Sequence, residues 1–479
     1  MREQGRLELK GKKALVMGLG LHDGGLGVAR FLVEQGADVT VTDLRTEEVL
    51  APTLEKLQGL PIKYVLGEHR ESDFKDAELV IRNPAVPRES RFLKIAREAG
   101  ASLEMEMTLF FKLCPSDFLL GITGTRGKTS TTLLTGSLLQ EWRPDTVIAG
   151  NLRVSALATL SRITPDTPVV LELSSWQLEG LGEQKLSLRF AAVTNMSPDH
   201  LNRYRDMADY ADAKRNIYRW QQPGDIVVLN ADDALVSTFA EDAPARVAWT
   251  SLERQDLAGA YLADDRFIWD FEGQTESYPA TLLKTPGRHS QANALTAIAL
   301  AKAAGCPQAA IEAGLSKFQG VADRLELVRE LDGVRFYNDT TATSPAGTVV
   351  ALEAFERDAG KIVLLAGGAD KNLDFAPLAL AVATSARAGQ LRQIIYLEGT
   401  ATPRLRAAIE ATGTPVATGG SYTNFREAVL AAQSAARPGD IVLLSPGAAS
   451  FGMFLHEFDR GTQFRHLVSE LTAQTTRTA

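Results

Sequence analysis

Residues 124–129 have the sequence Gly-Thr-Arg-Gly-Lys-Thr and stand between an apolar, strand-like run and a helix-forming run, TSTTLLTGSLLQ. Glycines at a strand–helix junction let consecutive backbone N–H groups turn toward phosphate oxygens, and the helix N-terminus adds a favourable dipole. A lysine there supplies positive charge, and the hydroxyl that follows can bind Mg²⁺. The segment therefore predicts an α/β core with a nucleotide-phosphate loop. The alternative is a glycine turn that caps a helix beside a solvated lysine.

The same alternation of strand-like runs, glycines and helix-forming runs occurs on both sides of this loop. Upstream, KALVMGLGLHDGGLGVARFLVEQG leads to a second strand that ends in Asp43. Downstream, the runs GVRFYND, KIVLLAGG, QIIYLEG and GDIVLLSPG alternate with Ala-rich helical stretches. Such alternation is typical of parallel α/β sheets. We predict an α/β protein of three domains, comprising residues 1–113, 114–319 and 320–479, with Rossmann-like first and third domains.

Composition excludes several classes of protein. Of the 479 residues, 45% are hydrophobic and 23% are charged, which excludes a disordered, collagen-like or coiled-coil chain. The formal net charge is −8 and no basic cluster is present, so we expect neither a nucleic-acid nor a membrane partner. Two distant cysteines without CxxC spacing indicate no disulfide framework or zinc site. We find no signal peptide or spanning segment and expect a cytoplasmic protein.

The N-terminal glycine loop carries less information. Gly18 and Gly20 are followed by Gly24 and Gly25 rather than by a clean GxGxxG pattern. Asp43, at the end of the next strand, stands where a dinucleotide-binding fold places its ribose-binding acid. A nicotinamide-dependent oxidoreductase is therefore an alternative function. It rests on this loop alone and leaves the phosphate loop unexplained.

Several further motifs occur in order along nearly the whole chain. They are GTRGKT, AGN at 149–151, LELSSWQLE at 171–179, TNMSPDHLNRY at 194–204, ADAKRNIY at 211–218, GRHSQANAL at 287–295, then NDTTATSP, LLAGGADKNLDF and LLSPGAASF. Together they resemble the Mur ligases, the ATP-dependent amide-forming enzymes of peptidoglycan precursor synthesis. This resemblance implies a UDP-binding first domain, an ATPase central domain and an amino-acid-binding third domain.

The resemblance also implies the reaction. ATP would convert the carboxylate of UDP-N-acetylmuramoyl-L-alanine into an acyl phosphate, which the amine of glutamate then attacks. The motifs LSSWQLE, DHLNRY and SPGAASF are most similar to members with these substrates, and D-glutamate is the expected enantiomer. L-Glutamate or another amino acid is the alternative. We expect a monomer.

Site residues follow from the resemblance, position by position. The residues expected at ATP are Gly124, Thr125, Arg126, Gly127, Lys128, Thr129, Ser130, Asn293, Arg324 and Asp339. Those expected at the UDP-sugar substrate are Gly20, Asp43, Arg45, Asn151 and His200. Those expected at the amino acid are Thr343, Lys371, Ser450 and Phe451.

Four residues are expected to carry catalysis, namely Lys128, Glu172, His200 and Lys214. By resemblance, two Mg²⁺ ions are bound by Thr129, Glu172, His200 and Lys214, the last as a carbamylated lysine. Each of these residues alone has an ordinary structural explanation, such as a strand-end charge or a solvated helix lysine. Their order along the chain, together with the phosphate loop, favours the functional interpretation.

The sequence departs from the family pattern at three places. Ser290 stands where an asparagine is usual, Thr341 stands where a lysine is common, and LHDGGLG replaces a shorter loop. Two alternatives remain beside the oxidoreductase. A folylpolyglutamate synthase would leave the first α/β domain without a role, and a nucleotide-sensing scaffold would bind ATP without catalysis.

Overall fold

The computed structural model describes residues 8–21, 23–152 and 154–473. The first seven residues, which we expect not to be a signal peptide, and His22 of the glycine-rich loop lie outside the described residues. The chain forms two compact units. The first contains the residues up to Leu282 together with Ala292–Ser316, and the second contains Leu283–Gln291 and the residues from Lys317 onward.

The first sheet of the first unit has five parallel strands in the order β3-β2-β1-β4-β5. Its strands and helices are β1 (Lys13–Met17), α1 (Asp23–Glu34), β2 (Asp38–Asp43), α2 (Glu47–Glu55), β3 (Ile62–Leu66), α3 (Glu71–Asp76), β4 (Leu79–Arg82), α4 (Arg91–Glu98), β5 (Ser102–Glu104) and α5 (Glu106–Leu113). The strand order reverses between β1 and β4. In doubly wound sheets, ligands bind at the carboxyl ends of the strands beside such a reversal.

The second sheet of this unit has nine strands in the order β14-β13-β12-β11-β10-β9-β6-β8-β7. Its elements are β6 (Leu119–Thr123), α6 (Lys128–Gln140), β7 (Val147–Gly150), the 3₁₀ helix η1 (Ala156–Arg162), β8 (Val169–Glu172), α7 (Ser175–Glu183), β9 (Phe190–Val193), α8 (Met207–Arg215), β10 (Ile226–Asn230), α9 (Ala234–Ser237), η2 (Thr238–Glu241), β11 (Arg246–Ser251), β12 (Gly259–Ala263), β13 (Arg266–Phe271), β14 (Gln274–Pro279), η3 (Ala280–Leu282), α10 (Arg288–Ala303) and α11 (Gln308–Lys317). Strands β6, β8 and β9 are buried throughout, as expected for parallel strands covered on both faces.

One edge of the second sheet is antiparallel. Strands β12, β13 and β14 pair antiparallel with one another. Asp264 and Asp265 connect the first two strands, and both have positive φ. Two consecutive residues with positive φ form a type I′ turn, whose twist matches that of a hairpin. These strands were not predicted, because Asp-Asp is a much weaker hairpin signal than Asn-Gly.

The sheet of the second unit has six strands in the order β15-β16-β20-β17-β18-β19. Its elements are β15 (Glu326–Leu331), β16 (Val334–Asn338), α12 (Pro345–Glu353), β17 (Ile362–Gly367), α13 (Ala376–Arg387), β18 (Leu391–Leu397), α14 (Thr402–Ala411), β19 (Thr418–Tyr422), α15 (Phe425–Ala435), β20 (Ile441–Leu444) and α16 (Glu457–Glu470). The first two strands form an antiparallel hairpin, and the remaining pairs are parallel.

The predicted fold class is confirmed. Each strand-like run named in the sequence analysis is a strand, and the three sheets are those of an α/β protein. The predicted boundaries at residues 113 and 320 stay predictions. None of the helices in the described part of the chain is long and apolar enough to cross a membrane.

Candidate active site

The phosphate loop predicted at residues 124–129 connects β6 to α6. Gly124 and Gly127 have φ values of +145° and +81°, which favour glycine. A Cβ on Gly124 would lie 1.9 Å from Thr194 Oγ1, and one on Gly127 would lie 2.4 Å from Asn293 Oδ1. Both positions therefore require glycine for their backbone conformation and for the space around them. The strand and helix that the sequence predicts on either side of the loop are present.

Two lysine side chains converge on this loop. The Nζ of Lys128 donates hydrogen bonds to the carbonyl oxygens of Gly124 and Thr125, each 3.0 Å away. The Nζ of Lys214, from α8, donates to the same Gly124 carbonyl oxygen at 2.8 Å and to Thr123 Oγ1 at 3.4 Å. The structure thus brings together two of the predicted catalytic residues at a single backbone oxygen.

The environment of Lys214 disfavours its charged form. Its side chain is only 1% exposed, and Nζ lies 4.7 Å from the centre of the Tyr210 ring. The pKa of Lys214 lies well below its ordinary value because burial removes water from the ammonium group and because the charge of Lys128 repels a second cation. A neutral amine with a free lone pair is a nucleophile, which an ammonium group is not.

Glu172 connects the phosphate loop to Asn151, a residue expected at the UDP-sugar substrate. It ends β8 and is 2% exposed. Its Oε2 accepts a hydrogen bond from Thr129 Oγ1 at 2.7 Å, and its Oε1 accepts one from Asn151 Nδ2 at 3.0 Å. The carboxylate therefore bridges the residue expected to bind Mg²⁺ and the asparagine expected at the UDP-sugar substrate.

The donor set of Thr129 and Glu172 fits Mg²⁺. This cation prefers oxygen ligands and usually takes one or two protein carboxylates, with waters and substrate phosphates completing its coordination. Across the described residues, no group of three or more His, Cys, Asp or Glu side chains could hold a metal ion. A site here would thus depend on the oxygens of bound nucleotide.

His200 lies in the loop after β9, apart from this cluster of contacts. Its φ is +54° and its side chain is 44% exposed. The ring lies 5.4 Å from the Trp176 ring and 6.2 Å from the Tyr210 ring, measured between centroids. Among the hydrogen bonds of the described residues, none joins the His200 ring to Glu172 or Lys214.

The remaining residues expected at ATP in the first unit lie around α6. Asn293, from α10, accepts a hydrogen bond from Thr131 Oγ1 at 3.3 Å and contacts the loop at Gly127. The backbone N–H of Arg126 donates to Asn195 Oδ1 at 2.9 Å, while the Arg126 side chain is exposed. Ser130 is half-buried in the first turn of α6.

Three of the residues expected at the UDP group meet in the first sheet, beside the reversal of strand order. Asp43 is 6% exposed and accepts hydrogen bonds from the backbone N–H of Gly20 at 3.1 Å and of Arg45 at 2.9 Å. The neighbouring Asn83, which follows β4, donates to the Gly18 carbonyl oxygen at 3.2 Å. Asp43 thus organises the loops at the end of β1 and β2.

A half-buried carboxylate connects helix α5 to the segment that follows Asn151. Glu106, at the start of α5, accepts hydrogen bonds from Ser155 Oγ at 2.6 Å and from the Ala156 N–H at 2.8 Å. Burial raises the pKa of Glu106, although these hydrogen bonds oppose the shift. A Cβ on Gly27 of α1 would lie 2.2 Å from the Ser155 Cβ. Helix α1 therefore packs directly against the segment that begins η1.

In the second unit, Asp339 accepts hydrogen bonds from two segments, one at Leu325 and one at Ser445. It is 8% exposed, and its Oδ2 accepts a hydrogen bond from Ser445 Oγ at 2.8 Å. Its Oδ1 accepts one from the Leu325 N–H at 3.3 Å, directly after Arg324. Burial raises the pKa of Asp339 to about 7. The two residues of this unit expected at ATP are thus neighbours.

The residues expected at the amino acid lie on three loops of the same unit. Lys371 Nζ donates to Thr343 Oγ1 at 3.1 Å. Ala369 and Ala449 form an isolated antiparallel bridge, which joins the loop of Lys371 to the loop of Ser450. Ser450 is buried and Phe451 is 63% exposed, and neither side chain has a described hydrogen bond to Lys371 or Thr343.

Several residues of these sites were not predicted from the sequence, and Tyr210 and Arg404 are two of them. Tyr210 contacts Lys214, lies near His200, and its hydroxyl is 3.5 Å from Thr125 Oγ1. Its position four residues before Lys214 on a helix was the available signal, because side chains at that spacing are neighbours. Arg404 donates hydrogen bonds to the loop of Lys371. It is 33 positions away in sequence, and no local pattern indicates that contact.

Three family descriptions match the chain in order. They are "Mur ligase MurD-like, N-terminal domain" at residues 12–104, "Mur ligase middle domain" at 122–301 and "Mur ligase, glutamate ligase domain" at 323–447.

Curated relatives match over nearly the full length of the chain. A UDP-N-acetylmuramoylalanine--D-glutamate ligase of Roseiflexus sp. (strain RS-1) is 51% identical, covering 97% of this chain and 100% of the relative. Proteins with the same name from Symbiobacterium thermophilum and Geobacter metallireducens are each 37% identical, covering 96% and 97% of this chain and 98% and 99% of the relatives.

Solved structures share the fold at low sequence identity. UDP-N-acetylmuramate-alanine ligase MurC from Thermotoga maritima has a TM-score of 0.58 at 21% identity, covering 96% of this chain and 100% of that chain. MurF from Acinetobacter baumannii has a TM-score of 0.60 at 15% identity, covering 91% of this chain and 92% of that chain.

Proposed function

The chain belongs to the Mur ligase family, and from this premise we propose that it joins D-glutamate to UDP-N-acetylmuramoyl-L-alanine with hydrolysis of ATP to ADP and phosphate. The names of its full-length relatives support this choice of substrates over L-glutamate or another amino acid. The reaction belongs to peptidoglycan precursor synthesis, on which cell shape and division depend. We propose that the enzyme is a cytoplasmic monomer.

One contact carries the proposal. The carboxylate of Glu172 accepts hydrogen bonds from Thr129, in the phosphate loop, and from Asn151, which directly follows the neighbouring strand β7. A ligase of this kind must bring the γ-phosphate of ATP next to a substrate carboxylate. Such a transfer requires that the two reacting groups be held close together. Glu172 connects the nucleotide loop to a residue expected at the acid substrate, and so brings the two sites together.

ATP and the acid substrate both have proposed partners in the first unit. Lys128 and the backbone N–H groups of the phosphate loop bind the β- and γ-phosphates of ATP, and Asn293 contacts the adenine. Thr129 and Glu172 hold the first Mg²⁺. When bound, Mg²⁺ neutralises phosphate charge and so lowers the barrier to attack by an anionic carboxylate. Asn151 and His200 orient the acid substrate, and Gly20, Asp43 and Arg45 bind its UDP group.

We further propose that Lys214 is carbamylated. Its neutral amine would attack the carbon of CO₂, forming an N–C bond and releasing one N–H proton to water, so that the product is an N-carboxylate anion. The burial of Lys214 and the nearby charge of Lys128 support this step, because both favour the neutral amine. The anion, together with His200, would hold a second Mg²⁺.

In the second unit, the amino acid would be bound by Lys371, Thr343, Ser450 and Phe451. Glutamate carries two carboxylates, and binding them without a nearby cation would be costly. Lys371 is the proposed counter-charge, and its hydrogen bond to Thr343 keeps the ammonium beside a second polar group. Arg324 and Asp339 are the proposed contacts to ATP phosphate and ribose.

Phosphate release tests the substrate assignment. The purified chain is incubated with ATP, Mg²⁺ and UDP-N-acetylmuramoyl-L-alanine, and with D-glutamate, L-glutamate, glycine or L-alanine in parallel. We expect rapid phosphate release with D-glutamate alone. As a control, Lys128→Ala should lower the rate about a hundredfold to a thousandfold, because it removes a charge that faces the transferring phosphoryl group. Faster release with L-glutamate than with D-glutamate would overturn the stereochemical assignment.

A further inference from the structure

A single guanidinium group holds the loop that carries Lys371. Arg404, in the first turn of α14, donates from Nη1 to Asp370 Oδ2 at 2.5 Å and to Asn372 Oδ1 at 3.4 Å. Its Nη2 donates to the Leu373 carbonyl oxygen at 3.1 Å. One acceptor lies on Asp370, directly before Lys371, and the other two lie on Asn372 and Leu373, the two residues after it. The loop is thus held from both sides of the lysine, and Lys371 itself makes no described contact with Arg404.

The loop needs such support because its backbone conformation is uncommon. Asn372 has a φ of +58°, in the left-handed region that L-residues seldom adopt, although asparagine tolerates it better than most. Within the loop, Asp370 Oδ1 accepts a hydrogen bond from the Asn372 N–H at 2.7 Å. The Asp370 N–H donates to Thr400 Oγ1 at 2.9 Å. Asp370 thus connects Asn372, Thr400 and Arg404 in this conformation of the loop.

Arg404 also offsets a negative charge beside the lysine. Its hydrogen bond holds the pKa of the Asp370 carboxyl below its usual range, so this group is anionic at neutral pH. An unpaired carboxylate next to Lys371 would compete for the ammonium and would repel a substrate that carries two carboxylates. The pairing with Arg404 leaves the ammonium of Lys371 directed at Thr343 instead.

We propose that Arg404 is a positioning residue for the amino-acid substrate, which fixes the loop of residues 370–373 and pairs with Asp370 so that Lys371 is available to a substrate carboxylate. This inference rests on the proposed function, in which Lys371 binds glutamate. Arg404 itself does not touch the substrate. Its loss should therefore weaken binding of glutamate selectively.

The same helix offers a matched control. Arg406 lies two residues further along α14 and is as exposed as Arg404, with 45% against 44% of its side chain accessible. It lies 3.9 Å from a Glu398 carboxylate oxygen, and its guanidinium stacks on the Tyr396 ring at 4.8 Å. It makes no described contact with the loop of residues 370–373. Arg406→Ala thus removes an equal charge from the same helix and leaves the hydrogen bonds between Arg404 and the loop of residues 370–373 in place.

The test measures the KM values of Arg404→Ala, Arg404→Lys and Arg406→Ala for D-glutamate, ATP and UDP-N-acetylmuramoyl-L-alanine, together with their thermal unfolding. We expect Arg404→Ala to raise the KM for D-glutamate at least fivefold and to leave the other two KM values within twofold of wild type. The KM of Arg404→Lys for D-glutamate should lie between those of wild type and Arg404→Ala, because a lysine keeps the charge but lacks the planar guanidinium that reaches several acceptors. Arg406→Ala should leave all three KM values unchanged.

A double variant separates a positioning role from general support of the fold. In Asp370→Ala/Arg404→Ala the unpaired carboxylate is absent, so the KM for D-glutamate should be lower than in Arg404→Ala alone. An unchanged KM for D-glutamate in Arg404→Ala, or an equal rise in all three KM values, would overturn the inference. If Arg404→Ala does not fold, the KM of Arg404→Lys for D-glutamate decides, and a value within 1.5-fold of wild type would reject the proposal. Failure of the wild-type chain to use D-glutamate would instead reject the proposed function.

Discussion

At the scale of single residues, Lys214 shows how an environment changes the chemistry available to a side chain. A lysine on a helix is usually charged and solvated, but this one is 1% exposed and shares an acceptor, the Gly124 carbonyl oxygen, with Lys128. Two ammonium groups at one carbonyl oxygen repel each other, and burial adds to the cost of charge. The arrangement therefore favours the neutral amine of Lys214, which is the form of a lysine side chain that reacts with CO₂.

Two substitutions of Lys214 test whether it is carbamylated. Lys214→Ala should be nearly inactive and should partly recover in the presence of small carboxylic acids, which can occupy the place of the missing carbamate. Lys214→Arg should be inactive and should not recover, because a guanidinium stays cationic and forms no carbamate. Steady-state rates with and without added formate or acetate provide the measurement. Full activity of the arginine variant would show that Lys214 is not carbamylated.

Asp339 provides a prediction about stability. Burial raises its pKa from an ordinary 3.8 to about 7. A carboxyl group with a higher pKa in the folded state binds its proton more tightly there, so it stabilises the fold at low pH. That contribution is complete below about pH 4 and is lost as the pH rises through about 7. We expect Asp339→Asn to remove this part of the pH dependence.

The measurement is the free energy of unfolding by urea at intervals between pH 4 and pH 8, compared between wild type and Asp339→Asn. The stability of the wild type relative to the variant should fall across this range. The difference in the free energy of unfolding between wild type and variant could instead stay constant or grow as the pH rises. Either result would show that burial does not raise the pKa of Asp339 in the folded chain.

At the scale of secondary-structure elements, the close approach of α1 to η1 depends on a missing side chain. A Cβ on Gly27 would lie 2.2 Å from the Ser155 Cβ, whereas a Cβ on Gly24 would lie 3.6 Å from Glu106 Oε2, an ordinary contact. We therefore expect Gly27→Ala to destabilise the fold by about 1–3 kcal/mol, the usual cost of overpacking. Gly24→Ala, on the same helix, should have little effect. Urea unfolding of both variants is the test, and equal stabilities would contradict the packing of α1 on η1.

The elements also show how far the sequence could be interpreted. Apolar runs such as those of β6, β8 and β9 identify buried parallel strands, because their burial on both faces requires a continuous apolar sequence. The hairpin of β15 and β16 carries Asp332-Gly333, a favourable pair for a type I′ turn, and could have been predicted from it. Strands β12 to β14 are partly exposed, so burial on both faces does not impose a continuous apolar run on them. The Asp264-Asp265 turn between the first two of them is a weak hairpin signal, and these strands were therefore not predicted.

At the scale of the whole chain, each of the three sheets brings candidate residues to the carboxyl ends of its strands. Asp43 ends β2 in the first sheet, Glu172 ends β8 in the second, and Asp339 follows β16 in the third. This position follows from the parallel α/β architecture, in which those ends carry the loops that bind ligands. Motifs at strand ends could therefore be located from sequence.

The partners of these residues could not be located in the same way. Glu106 and Ser155 are 49 positions apart, and Arg404 and Asp370 are 34 positions apart. Such pairs form because strands and helices distant in sequence pack side by side, and nothing in the local sequence of either residue records the other. Three-dimensional structure is needed to identify residues that act through another residue.

In the proposed reaction, this chain activates the carboxylate of UDP-N-acetylmuramoyl-L-alanine by phosphorylation before the amine of D-glutamate attacks it. The most direct measurement uses substrate with both carboxylate oxygens labelled with ¹⁸O, turned over with unlabelled ATP and D-glutamate. One labelled oxygen should leave with phosphate while the other stays in the new amide, so mass spectrometry should find one ¹⁸O in each phosphate released. Unlabelled phosphate accompanying amide formation would contradict an acyl-phosphate mechanism.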